Sequence, residues 1–160
     1  MITVTAPDSL QNEPFKFRIK VFLAGGISGC PDWQSMLIEM LDDLSDTVVL
    51  YNPRRANVTL GNTDIGKEQI QWEKYAMDEC DLISFWFAEE TTQPIVFFEL
   101  GARIGYLNNP DYVVCAHHKY LRRFDVVEQL SHYRPDVYVG RTLEELAGSI
   151  RQWVEKRLKR

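Results

Sequence analysis

Six residues constrain this chain more than any other stretch. Leu82–Phe87 reads LISFWF, apolar at every position but one, with no polar alternation. A strand with one wet face alternates. A strand that is apolar throughout is covered on both faces, as in a parallel sheet flanked by helices. The surrounding sequence suits such a sheet. Residues 16–23 (KFRIKVFL), 47–51 (TVVLY), 112–116 (YVVCA) and 137–139 (VYV) read as further strands. Between them the period changes to that of helices. Asp32 caps a helix over residues 33–44, with Trp33, Met36, Leu37, Met40, Leu41 and Leu44 on one stripe. Others are expected over about residues 67–79, 95–107 and 124–130, and after the cap Thr142. A polar loop with Gly61 and Gly66 and the breaker Asn108-Asn109-Pro110 punctuate the series. Five strands alternating with helices predict one doubly wound α/β domain over residues 16–160, behind a flexible N-terminal arm over residues 1–15.

Composition narrows the function classes. Hydrophobic residues make up 45% and charged residues 26%, which excludes disorder and coiled coil as the main architecture. A net charge of −5 with no long basic run disfavours nucleic-acid binding. Nowhere do 18 apolar residues run together, so no membrane-spanning helix is expected. Cys30, Cys80 and Cys115 are scattered without a CxxC pair and read as reduced thiols rather than a disulfide frame or a zinc site. The first 15 residues lack the apolar core of a signal peptide, so the expected location is cytoplasmic.

In doubly wound sheets ligands sit beyond the carboxyl ends of the strands, at the point where strand order reverses. The loops after Leu23, Tyr51, Phe87 and Ala116 are therefore the ones to search. After the first strand, Ala24-Gly25-Gly26-Ile27-Ser28-Gly29 could admit a ligand to the backbone, with Ser28 as donor, or could simply form a tight turn. It matches neither GxGxxG nor a Walker loop. Glu99 lies near the start of a helix, where the dipole keeps a carboxylate ionised, and it reads equally as an exposed, dipole-satisfying glutamate. Its helix follows the strand expected beside the first, which turns it toward the glycine turn. Glu73 could supply the second carboxylate of glycosidic chemistry, or could face solvent beside Lys74. Arg54 and Arg55 could clamp a phosphate or pair with acidic neighbours. Trp86 and Phe87 could stack on a flat base or belong to the core. Asp81 suits a helix–strand junction, and His117-His118 make a poor metal pair because neighbours on a strand point apart.

Taken in order, VFLAGGISG (21–29), YNPRR (51–55), WE (72–73), CDLISFWF (80–87) and FFELG (97–101) resemble the nucleoside 2′-deoxyribosyltransferases, in their divergent deoxyribosyltransferase-like branch, over roughly residues 17–116. The resemblance implies a flavodoxin-like five-stranded sheet and exchange of the base of a deoxyribonucleoside through a covalent glycosyl-glutamate. It implies Glu99 as nucleophile and Glu73 as the acid/base residue, 26 positions apart as the family expects. Glu73 stands where the family usually has aspartate, and Gln93 where it usually has an aspartate contacting the sugar hydroxyl. Gly25, Gly26, Ser28, Arg54, Arg55, Trp86 and Gln93 are the expected substrate contacts. The implied partners are nucleosides and free nucleobases, with no cofactor or metal, in a homo-oligomer. Two alternatives stay open: an N-glycosidase acting on nucleosides or their 5′-monophosphates, and a non-catalytic nucleotide-binding module. Catalysis through Glu73 requires a carboxyl protonated near neutral pH, hence a raised pKa in an apolar neighbourhood that includes Trp72.

Overall fold

The computed structural model describes residues 1–10, 18–44, 46–56, 63–105 and 111–159. In chain order the elements are β1 (Ile2–Thr5), β2 (Ile19–Gly25), α1 (Trp33–Met40), β3 (Val48–Asn52), α2 (Thr63–Glu79), β4 (Leu82–Phe87), α3 (Pro94–Ile104), β5 (Asp111–Ala116), α4 (Arg123–Tyr133), β6 (Val139–Gly140) and α5 (Leu143–Leu158). All six strands are parallel, in the order β1-β3-β2-β4-β5-β6. The fold is the doubly wound, flavodoxin-like α/β arrangement, with β2 beside β4 at its centre.

The pleat sorts the strands' side chains between two cores. Phe22, Tyr51, Phe85 and Phe87 face one side and pack with Trp72, Val96, Leu100 and Leu130 of α2, α3 and α4. Val21, Leu23, Leu50, Leu82 and Trp86 face the other and pack with Trp33 and Leu37 of α1 and Leu146 and Ile150 of α5. Every residue of β4 is buried, so its lack of alternation has the expected cause. Each large side chain removed from water in this way contributes about 2 kcal/mol before entropy is counted. No helix among the described residues is long and apolar enough to cross a membrane.

Near the C-terminus the strand expected over residues 137–139 is confined to Val139–Gly140, and three features of the first half of the chain also depart from the sequence reading. Within the expected flexible arm, Ile2–Thr5 forms a sixth strand, paired with β3 in the register Val4↔Tyr51. The backbone continues the ladder from Ala6 N–H to Asn52 O at 2.9 Å, and Trp72 Nε1 donates to Asp8 O at 2.8 Å, which ties the segment to α2. Next, α1 ends at Met40, and residues 41–44 follow as turns rather than helix. Lastly, α2 starts at Thr63 and so is longer than expected. Residues 16–17 of the expected first strand, Gly61, and residues 106–110 at the expected break lie outside the described residues.

Candidate active site

The end of β2 is thin because two layers press on it. At Gly25 a Cβ would collide with the Trp33 indole and lie 2.6 Å from Trp86 O. At Gly26 it would lie 2.7 Å from both Cys30 Sγ and Gln93 Cδ. Gly26 N–H donates to Gln93 Oε1 at 2.8 Å, and its carbonyl accepts from Trp33 Nε1 at 2.8 Å. Both glycines border a cavity, but the Gly26 backbone groups are engaged within the protein. Glycine is demanded here by neighbouring side chains and by the Trp86 carbonyl.

The cavity has a volume of about 320 Å³ and lies at the carboxyl ends of β2 and β3, on the side of α2 and α3. Phe22, Ala24 and residues 25–28 form one wall, Pro53 and Glu73 another, and residues 91–96 with Glu99 close it. The two carboxylates singled out from the sequence thus line one chamber, with Ser28 exposed among its lining residues. This is the position at which a parallel sheet presents ligands.

Glu73 sits on α2 and is held by the residue one turn before it. Gln69 Nε2 donates to Glu73 Oε1 at 2.7 Å and to Pro53 O at 2.7 Å. Burial raises the Glu73 carboxyl above its ordinary 4.5, against the Gln69 hydrogen bond and the Arg55 guanidinium, which both favour the charged form. The direction is the one expected from the sequence. Trp72 packs on Phe22 and Tyr51, with ring centroids 6.4 Å from each.

Glu99 corrects a simpler expectation. The helix dipole alone would keep this carboxylate ionised, yet Glu99 is the sixth residue of α3, past the turn where the dipole acts most strongly. Burial first, and then the Glu73 charge, push its carboxyl from 4.5 to about 8, with only partial relief from Arg103. Two half-buried carboxyls lining one cavity cannot both ionise cheaply. Burial and mutual repulsion therefore favour one protonated and one ionised carboxyl over two charges.

The other expected contacts divide. Gln93 lines the cavity, but its buried amide is a clamp: Oε1 accepts from Gly26 N–H, and Nε2 donates to Ala88 O at 2.7 Å. One hydrogen and one lone pair of that amide remain for a ligand. Its backbone is left-handed, at φ 48°, which costs about 1 kcal/mol outside glycine and is held by those two bonds. Arg54 does not reach the cavity as a phosphate clamp. Nε donates to Gln34 Oε1 at 2.8 Å, a terminal nitrogen donates to Pro31 O at 2.7 Å, and the side chain pairs with Asp32 at 3.2 Å. Arg55 pairs with Glu68 at 2.6 Å, and its Nε is buried without a partner among the described residues. Its closeness to Glu73 is felt through charge alone. Trp86 is on the other face of the sheet, because the pleat that sends Phe85 and Phe87 toward α3 sends Trp86 toward α1 and α5. Asp81 does serve the junction, accepting from Lys20 N–H at 2.9 Å.

Sequence reasoning missed Gln69. Its position four residues before Glu73 puts both on one helical face, which was the available signal. It also missed Trp33 and Gln93 as the pair that fixes Gly26, since their contact spans 67 positions of chain for Gln93.

No curated protein sequence matches this chain significantly. The profile of the family described as nucleoside 2-deoxyribosyltransferase like matches residues 18–120. That segment runs from β2 through β5 and contains the cavity with both carboxylates, so the chain belongs to the nucleoside 2-deoxyribosyltransferase-like family.

Proposed function

We propose that this protein transfers a 2-deoxyribosyl group between nucleobases by double displacement. The observation that carries the reading is the placement of Glu73 and Glu99 in the lining of one cavity, where burial raises both carboxyls. Burial and the neighbouring Glu73 charge favour the protonated form of Glu99. A bound base presenting a ring nitrogen to Glu73 draws the proton to Glu73 and leaves Glu99 ionised. A Glu99 oxygen then bonds to C1′ as the bond from C1′ to the base breaks, and the Glu73 proton goes to the departing base. In the second half an incoming base gives its proton to Glu73 and attacks C1′ from the vacated face, releasing Glu99. Two inversions retain the anomeric configuration. Both reacting groups come from this chain. Gly25, Gly26, Ser28 and Gln93 border the substrate in this reading. The expected setting is a cytoplasmic homo-oligomer acting on free nucleosides and bases.

Chromatographic assay of deoxynucleosides, ribonucleosides and their monophosphates, each with and without a second free base, tests the proposal. New nucleoside is expected only when the second base is present, and none from Glu99→Ala. Equal release of free base without an acceptor would make the protein an N-glycosidase. Absence of any turnover would leave a nucleotide-binding module.

A further inference from the structure

A second cavity, of about 290 Å³, opens at the same sheet edge but on the opposite face. The indoles of Trp33 and Trp86 line it together with Met36, Ala88 and Leu143, so most of its wall is apolar and part is aromatic. Glu89, Glu90 and Glu144 complete the lining, and no lysine or arginine is among the lining residues. Its one basic side chain, His117, is already paired with Glu89 at 3.5 Å.

A second observation points to a ligand. Trp33, Trp72 and Trp153 each donate their indole N–H to a protein oxygen at 2.8 Å. Trp86 is the one tryptophan whose N–H has no partner among the described residues, although the residue is only 6% exposed. That nitrogen retains some solvent access, and Trp86 lines this cavity. An indole N–H left open on a mostly buried tryptophan lining such a space is available to an acceptor bound there.

We propose that this cavity is a second binding site, distinct from the Glu73–Glu99 chamber, for a small organic cation with an apolar or aromatic body and a hydrogen-bond acceptor. Exposed carboxylates at the rim favour positive charge, and the wall with Trp33, Trp86, Met36 and Leu143 suits an apolar or aromatic body. Anions are repelled. Both helix N-termini at this edge are already satisfied by the protein, that of α1 by Asp32 accepting from Ser35 N–H and that of α5 by Thr142 accepting from Glu145 N–H. The inference uses no residue of the catalytic pair and does not depend on the transferase reading.

The four tryptophans give a site-resolved readout, because each indole N–H yields its own peak in a nitrogen–proton correlation spectrum of the labelled protein. Tyramine carries an ammonium, a ring and a hydroxyl acceptor; 4-hydroxyphenylacetate keeps the ring and hydroxyl but replaces the ammonium with a carboxylate. Titration with tyramine is expected to move the Trp86 and Trp33 peaks saturably, leave Trp153 in place, and do the same in Glu99→Gln. Trp86→Phe assigns the peak. The double variant Glu90→Gln/Glu144→Gln, altered only at exposed positions and so expected to fold, should weaken tyramine by about fivefold or more. No peak movement with tyramine would overturn the proposal. So would equal movement with 4-hydroxyphenylacetate, an unchanged affinity in the double variant, or loss of the response in Glu99→Gln.

Discussion

Replacing Glu99 by glutamine should make the protein more stable, and increasingly so as pH rises. In the unfolded chain this carboxyl titrates near 4.5, whereas in the fold burial and the Glu73 charge move it to about 8. Between those values the folded state holds a proton that the unfolded state has released. Stability therefore falls as pH climbs through that window, the reverse of a carboxylate held by a salt bridge. Worked from the two pKa values, the loss attributable to Glu99 grows by about 4 kcal/mol between about pH 5 and about pH 9. Glutamine keeps the size and removes the charge. Any cost of its buried amide is the same at both pH values and cancels in the comparison. Urea unfolding of wild type and Glu99→Gln at the two pH values measures the effect, provided the slope with urea is shared. The stability gain of the variant should be larger at the higher pH by about 4 kcal/mol, while its catalytic activity is lost. A gain differing by less than about 1 kcal/mol between the two conditions would refute the claim that a buried charge is formed at this position.

Three further predictions follow from the contacts around the pair. Gln69→Leu removes the donor that favours the Glu73 carboxylate, so the Glu73 pKa should rise; kcat/KM should fall by about tenfold and its pH profile should move upward, measured with wild type alongside. In Gln93→Ala the Gly26 N–H and the Ala88 carbonyl both lose their buried partner, and denaturant unfolding should register a loss of about 2–4 kcal/mol. Trp86→Phe should leave KM for nucleosides unchanged in steady-state kinetics, because Trp86 lies across the sheet from the carboxylates; a raised KM would return it to the substrate cavity.

What could be read from the sequence follows from how locally each feature is determined. The covered strand Leu82–Phe87 and the caps Asp32 and Thr142 are set by residues within a few positions of themselves, and they stand where the pattern put them. Glu73 and Glu99 could be singled out from the sequence and do line one cavity, and the resemblance supplied their proposed roles. The charge of Glu99 was not legible, because the dipole is a local term, whereas the burial and the Glu73 charge that outweigh it come from a separate helix. Arg54 misled for the same reason: Asp32, Gln34 and Pro31 meet it only when α1 packs beside the end of β3. The strand Ile2–Thr5 is four residues long, and its partner begins more than 40 positions later, so no local period announces it. Trp86 is a different case. Phe85 and Phe87 flank it, and strand parity alone puts the tryptophan on the face opposite both.

That parity also explains why two neighbouring glycines stand at the centre of the molecule. Where β2 and β4 end, one core contributes Gln93 and the other contributes Trp33, and the two side chains reach the same residue from opposite faces. Gln93 takes the N–H of Gly26 and Trp33 takes its carbonyl, so the strand end is held from both sides and has no space for a Cβ. The web between the two cavities is consequently a single stretch of backbone, with Gly25 and Gly26 bordering the carboxylate chamber and Trp33 bordering the acidic one. A strand end fixed in this way keeps one wall of the carboxylate cavity in place, the kind of preorganisation that the proposed transfer would use. The requirement for glycine thus arises from the architecture of the switch point: the backbone must be bare because it is gripped on both faces.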